Sequence, residues 1–316
     1  METLLHVVNS LAPVFLIVAL GAGLRRWRFL SDDVLRGMNR LAYWVGLPCL
    51  LFSKLAGTTY AGGAAGWLFL LVLIGMAGCI VVGLAVAMVL RMPAGQIGAF
   101  VHTAFRGNLA YVGLPVVVYA FASAGGDAGA RSAETTAILA LGPIVPVYNV
   151  VAIAVLLIGR GRFTLRSVGR MLFEVATNPL LLACAAGVAF STTGWPMPRA
   201  VGRTIATAGQ FALPLALLCV GGALAGARLR RRAAYSLAAA VIKVAVGPAV
   251  GYAAARMLGI ADRETAIAMI MLACPTAIAS YVLTEQLEGD GALAAGTVAI
   301  SSVLSVVSLA IAVALI

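Results

Sequence analysis

Uninterrupted apolar stretches of about 20 residues recur along the whole chain, and each is long enough as a helix to cross the hydrocarbon core of a bilayer. In lipid, every backbone N–H and C=O must be satisfied within the structure, so only helices and closed barrels span membranes. The runs are continuous rather than alternating in polarity, which selects helices over barrel strands. The balance of residue types agrees. The chain is 62% hydrophobic and 10% charged, with mean hydropathy +1.05, whereas soluble domains are about 25% charged. That leaves too little polar side chain to cover a surface facing water. No tract of soluble composition breaks the pattern, so no appended soluble domain is expected.

Ten spans are predicted: Leu4–Leu24, Val34–Leu55, Gly66–Leu90, Gly95–Phe121, Glu134–Ile158, Glu174–Phe190, Val201–Ala225, Ala233–Leu258, Glu264–Gln286 and Ala292–Ile316. The fold class is then an all-α membrane protein. The first run is short enough for a signal peptide, but its arginines, Arg25, Arg26 and Arg28, follow it instead of preceding it. It reads as the first membrane helix, with the N-terminus outside. On that count the inner loops hold Arg25, Arg26, Arg28, Arg91, Arg160, Arg162, Arg166, Arg170, Arg228, Arg230, Arg231 and Arg232. The outer loops hold Lys54, Arg131, Arg199, Arg203, Arg256 and Arg263. Cytoplasmic loops carry such a basic excess, and both termini fall outside. The same clustering between apolar runs explains the net charge of +11 without nucleic acid as a partner.

A shift of 166 residues carries Pro13 onto Pro179, Gly21 onto Gly187, and Leu47-Pro48 onto Leu213-Pro214. Spans 1 and 2 therefore resemble spans 6 and 7. Because five is odd, the second half enters the membrane from the opposite side, as in the inverted repeats of secondary transporters. Spans 4 and 9 hold equivalent places in the two halves, and each contains a proline, Pro115 and Pro275. Proline removes a helical hydrogen bond and crowds the preceding turn. Paired interruptions at matching positions point to a substrate site, so helices 4 and 9 are expected to break at these prolines. A plain kink is the competing reading of either one alone.

Polar chemistry gathers around the two expected breaks. Arg106–Pro115 offers Arg106, Asn108 and Tyr111, and Ala273–Gln286 offers Thr276, Ser280, Tyr281, Thr284, Glu285 and Gln286. Thr276, Ser280 and Thr284 share one helical face, which would line a polar cavity or pack against another helix. Arg106 and Lys243 are the two cations expected near mid-membrane, where charge is costly and usually functional; snorkelling to an interface is the alternative. No Asp is expected inside a span, and Glu285 is the one acid whose place is open. Cations without carboxylates suit an anionic substrate and disfavour a cation antiporter. Coupling to a proton or sodium ion through Glu285 or His102 stays open. Asn178 reads as a helix cap before Pro179, while Asn149 and Gln210 read as packing contacts.

Other functions are argued against. The motifs G-x-S-x-G, H-E-x-x-H, G-x-x-x-x-G-K-[ST] and G-x-G-x-x-G are all missing, and only two histidines are present. Neither an enzyme, a self-contained ATP-driven pump nor a cofactor is expected. The five cysteines sit singly in apolar runs, with no C-x-x-C pair, so no disulfide or metal site is expected. Gly222–Gly226 and Gly247–Gly251 favour close helix contact and leave a homodimer open.

Four segments in order, GLPCLLFSKLAG (Gly46–Gly57), RGNLAYVGLP (Arg106–Pro115), TNPLLLACAAG (Thr177–Gly187) and ACPTAIASYVLTEQ (Ala273–Gln286), resemble the auxin efflux carrier family. That family includes plant PIN-formed auxin exporters and bacterial relatives proposed to move malate, malonate or similar acids. The short segment Gly159–Arg170 lacks the long hydrophilic loop of many plant members, so a prokaryotic carrier in a bacterial inner membrane is expected. The resemblance implies ten helices in a crossover fold related to bile-acid symporters and sodium/proton antiporters. It implies a scaffold of residues 1–60 and 171–227 (helices 1, 2, 6 and 7). The moving transport domain would be residues 61–170 and 228–316 (helices 3–5 and 8–10), working as an elevator. It further implies that Asn108 contacts substrate and that Pro115 and Pro275 mark the crossover. Arg106, Tyr111, Thr276 and Tyr281 are added as substrate contacts from their chemistry alone. A sodium-coupled symporter of amphipathic acids is the rival on this fold, and a membrane-embedded sensor or enzyme the rival outside it.

Overall fold

The computed structural model describes residues 2–57, 63–158, 169, 172–173, 176–226 and 233–314. Arg160, Arg162, Arg166, Arg170, Arg228, Arg230, Arg231 and Arg232, on which much of the charge asymmetry rests, lie outside the described residues. Within them the chain forms helices and one isolated bridge, with no strand. Six helices are long and apolar enough to cross a membrane: Val7–Arg26, Ala64–Val89, Gly126–Ile158, Arg199–Ala225, Ala233–Met257 and Gly291–Val313. Leu109–Ala124 and Pro179–Thr193 are shorter apolar helices. Their outward faces are as greasy as their contacts: Leu16, Val81, Met88, Val303 and Ile311 are all exposed. Such a surface needs lipid, and the protein is an integral membrane protein.

In chain order the helices are α1 (Glu2–Arg26), α2 (Asp32–Leu41), α3 (Leu47–Ala56), α4 (Ala64–Val89), α5 (Ala94–Phe105), α6 (Leu114–Ile158), α7 (Pro179–Thr193), α8 (Arg199–Gln210), α9 (Ala212–Gly226), α10 (Ala233–Val241), α11 (Gly247–Met257), α12 (Asp262–Ala273), α13 (Ile278–Gln286) and α14 (Gly291–Val313). α6 is not one straight rod. Gly126 takes a φ of 62°, a conformation open to glycine, and Gly129 comes back to within 3.3 Å, at its Cβ position, of the Phe121 carbonyl. The chain turns there, and the helix after it starts eight residues before the predicted Glu134. Asp127 lies in that first turn, and Asp32 and Asp33 in the first turn of α2. Acids thus do occur inside helices, at exposed ends.

Three prolines shape helices without breaking them. Pro48, Pro115 and Pro248 each follow a π turn, at Ala42–Gly46, Leu109–Gly113 and Ile242–Val246. A proline lacks the N–H and crowds the carbonyl four residues back. That carbonyl belongs to Trp44, Tyr111 or Val244, inside the π turn each time, and the wider turn relieves the crowding. Pro115 is therefore not the break in the fourth helix: the chain leaves helical geometry at Arg106–Asn108 and is helical again by Pro115.

Glycines allow close helix contact where hydrophobic drive is absent. A Cβ on Gly21 of α1 would collide with the Leu218 carbonyl oxygen in α9; one on Gly187 of α7 would stand 3.2 Å from the Phe52 carbonyl in α3. The 166-residue shift carries the first contact onto the second.

Candidate functional site

Two helices are interrupted, and the interruptions meet. After α5 the chain is extended through Arg106–Asn108, and after α12 it is extended through Cys274–Ala277. The segments cross antiparallel, with a bridge between Gly107 and Thr276. Asn108 N–H donates to Pro275 O (2.8 Å) and Ala277 N–H to Arg106 O (2.9 Å). A shift of 169 residues exchanges these two bonds, so the crossing has its own local two-fold. Pro275 explains the second break. The first has no proline. It holds Gly107, where a Cβ would come within 2.9 Å of Leu109 Cδ2 and 3.1 Å of Lys243 Cε and push both side chains aside.

Each break exposes carbonyls on one side and amides on the other, and the carbonyl ends are met by side chains. Lys243, fully buried, donates from Nζ to Leu272 O at 2.6 Å. Ser308 Oγ donates to Ala273 O (2.9 Å), and Thr276 Oγ1 to Thr103 O (2.9 Å). Thr276 N–H in turn donates to Ser301 Oγ (2.9 Å). Lys243 thus neither snorkels nor faces a carboxylate; it holds the C-terminal end of α12, where a cation is favourable.

The amide ends open on a cavity of about 600 Å³. Arg106, Asn108, Tyr111 and the first residues of α13 line it from the breaks; Asn39, Tyr43 and Trp44 from α2 and the following π turn; Tyr148 and Asn149 from α6; and Thr177, Asn178 and Pro179 from the start of α7. Among the described residues lining it, Arg106 is the one that is charged. Arg106 Nη2 donates to Asn149 Oδ1 at 2.5 Å, and Nη1 lies 3.4 Å from His102 Nε2. His102 is fully buried, with Nδ1 3.4 Å from Thr284 Oγ1. Asn178 caps α7 as expected, its Oδ1 accepting from Leu180 N–H (3.0 Å) and Leu181 N–H (3.1 Å). Its Nδ2 also reaches the Tyr43 hydroxyl at 3.4 Å.

Of the residues expected at a site, Arg106, Asn108 and Tyr111 come together on this cavity. The others do not. Pro115 is buried in α6, and Thr276 ties the crossing to α5 and α14. Tyr281 is 41% exposed and not on the cavity wall. Thr276, Ser280 and Thr284 do share a face, but a buried one that packs. Glu285 is exposed in the last turn of α13. Pro275 lines a second cavity, of about 610 Å³, with Val14, Phe15 and Val18 of α1, Val112 of the π turn before Pro115, Val220 and Leu224 of α9, and Ala299, Ile300 and Ser302–Val306 of α14. Asn39, Tyr43 and Trp44 were not anticipated, and Asn149 was expected only to pack; its one sequence signal is an amide in an apolar run.

A family model described as membrane transport protein matches the chain twice, over residues 6–162 and 153–313. No curated protein matches it.

Proposed function

The chain belongs to the membrane transport protein family, that of the auxin efflux carriers, and from this premise we propose that it is a secondary transporter of small organic anions working as an elevator. The substrates would be mono- or dicarboxylates such as malate or malonate, or auxin-like acids. The observation that carries the proposal is the cavity, in which the Arg106 guanidinium stands among the amides of Asn39, Asn108, Asn149 and Asn178 and the hydroxyls of Tyr43, Tyr111 and Tyr148. A guanidinium takes a carboxylate through two parallel N–H bonds, and Asn149 holds its plane. The first amides of α13 and of the π turn after Asn108 lack intrahelical acceptors and add positive potential. Arg106, Asn108 and Tyr111 are the proposed substrate contacts. Lys243 bears on the sodium-coupled rival: its Nζ already takes the Leu272 carbonyl, an oxygen that a cation at the crossing would need.

The repeated contacts at Gly21 and Gly187, and the exchanged bonds at the crossing, support ten spans in two inverted five-helix repeats. The cavity lies between residues 39–47 and 177–180 on one side and 106–111, 145–153 and 277–283 on the other. Those are the two sides of the proposed division into a scaffold (1–60, 171–227) and a transport domain (61–170, 228–316). Substrate held by the second body would cross as that body slides along the first.

The test is electrical. Protein in liposomes on a solid support is given concentration jumps of malate, malonate, succinate, lactate and indole-3-acetate, with and without sodium. A saturable, sodium-independent current from one class is expected. A current that requires sodium would favour the symporter, and a ligand that binds without current or flux would favour a sensor.

A further inference from the structure

Four ion pairs join described residues, and one differs in kind. Arg25–Asp32, Arg36–Asp33 and Arg256–Asp262 each close between near neighbours in the chain, with carboxylates that are 70%, 88% and 88% exposed. Lys54–Glu134 spans 80 residues at 2.7 Å, and the Glu134 side chain is only 8% exposed. Exposed pairs contribute little. A buried carboxylate that loses its cation is left uncompensated in a medium of low dielectric, so this pair resists separation far more than the others.

Its position gives that resistance a use. Lys54 is in the last turn of α3 and Glu134 early in the helix that ends at Ile158. The cavity takes the opposite ends of the same two rods, Asn39 to Leu47 and Val145 to Ile153. Asn39 precedes Lys54, and Asn149 follows Glu134, by the same number of residues. At 1.5 Å per residue the pair therefore lies roughly 20 Å along the interface from Asn39 and Asn149, and roughly 10 and 16 Å from Leu47 and Val145, the cavity residues nearest it on the two rods. Under the proposed division Lys54 is on the scaffold and Glu134 on the transport body, and any slide of one along the other must part them.

We infer that Lys54–Glu134 is a latch. It closes the end of the interface remote from the cavity, and so holds the transporter in the state in which Arg106 faces the near side. The inference rests on the moving-domain reading above. It adds which contact sets the balance between the two states. The other three pairs each close within one body, so none of them can report the slide.

The test needs no substrate. Ala279 lines the cavity and is exposed; Ala279→Cys supplies a reporter, read against the parent protein, in which Cys49 is half-buried and the other four cysteines are buried. A membrane-impermeant maleimide is applied to right-side-out and to inside-out vesicles, and the faster side defines the cavity mouth. Glu134→Gln and Lys54→Met are expected to raise labelling from the slower side about fivefold, as loss of a state-specific contact shifts a two-state population. The reversed pair, Lys54→Glu with Glu134→Lys, is expected to bring it back down, which a merely unfolded variant would not do. Asp262→Asn, which opens a pair inside one body, is expected to change nothing. Labelling from the slower side that none of the Lys54 or Glu134 variants alters would overturn the latch and leave the moving domain standing. No labelling from that side in any variant would overturn the moving domain and the latch with it.

Discussion

The two cavities on either side of the crossing share an architecture and differ in chemistry. One is walled by α2, α6, the start of α7 and both breaks, the other by α1, α9, α14, Val112 and Pro275 of the second break. The walls lie on spans 2, 5 and 6 in the first and on spans 7, 10 and 1 in the second, which hold equivalent places in the proposed repeats, and the volumes, about 600 and 610 Å³, are nearly equal. Yet the first holds Arg106, Asn108 and Asn149, while the second is lined almost wholly by aliphatic side chains. At the crossing, Arg106 and Asn108 exchange places with Pro275 and Ala277. Two recesses thus flank one crossing, and among the described lining residues only the first has a guanidinium and amides. The fold supplies the place; two residues of the first break supply the charge and the amide.

The largest effect expected from erasing that difference is at Arg106. Arg106→Ala makes the first break as uncharged as the second. A hydrogen bond to a charged group is worth about 1.5–3 kcal/mol, so the anion should bind about 10- to 100-fold more weakly by the arithmetic of affinity, with Arg106→Lys in between. Calorimetric titration with whichever acid gives a current measures it. Wild-type affinity would mean that the polar cavity is not the site.

The symmetry itself can be tested by stability. Gly21→Ala sets a methyl against the Leu218 backbone, and Gly187→Ala sets one against Leu55 Cβ at 2.9 Å. Both should destabilise, by about 1–3 kcal/mol as overpacking usually does, with Gly21→Ala the worse because its clash is with backbone. Melting in detergent, followed by light scattering or tryptophan fluorescence, ranks them. If one glycine tolerates alanine and the other does not, the two contacts are not equivalent.

Asn108→Ala comes next, giving the first break the residue that Ala277 supplies in the second. Its amide is neutral, and its N–H bond to Pro275 O belongs to the backbone and survives the change. A loss of about 1 kcal/mol, roughly fivefold in affinity, is expected, with the melting temperature unchanged.

What the sequence disclosed and what it hid follow from the range of the forces involved. Apolar length and the 166-residue spacing are local or periodic, and from them came the helices and the matching Gly21 and Gly187; Arg106 and Tyr111 were read from their chemistry, and Asn108 from the family resemblance. The place of the first break was misjudged because a proline in a helix has two outcomes. It can end the helix, as Pro275 does, or widen the turn before it, as Pro115 does, and the choice depends on neighbours. Gly107 lies in the break itself, where a Cβ would press on the side chains of Leu109 and Lys243. Asn39, Tyr43 and Trp44 reach the cavity only through packing of α2 and its π turn against distant helices, and no local pattern marks them. Asn149 reads like any amide bonded to a neighbouring helix until its partner proves to be Arg106.

The smallest effects are expected at two residues whose chemistry suggested a site and whose geometry does not. Thr276→Val deletes the donor to Thr103 O but keeps the shape and the backbone bond to Ser301. It should cost about 1 kcal/mol of stability and leave anion affinity as it was. Tyr281→Phe removes an exposed hydroxyl remote from the cavity wall and should change neither by more than about 0.5 kcal/mol. Melting and titration of the same two variants separate the readings. A fall in affinity for Thr276→Val, with stability held, would extend the anion site through the crossing toward the apolar cavity. The two recesses would then be one pathway rather than a site and its empty image.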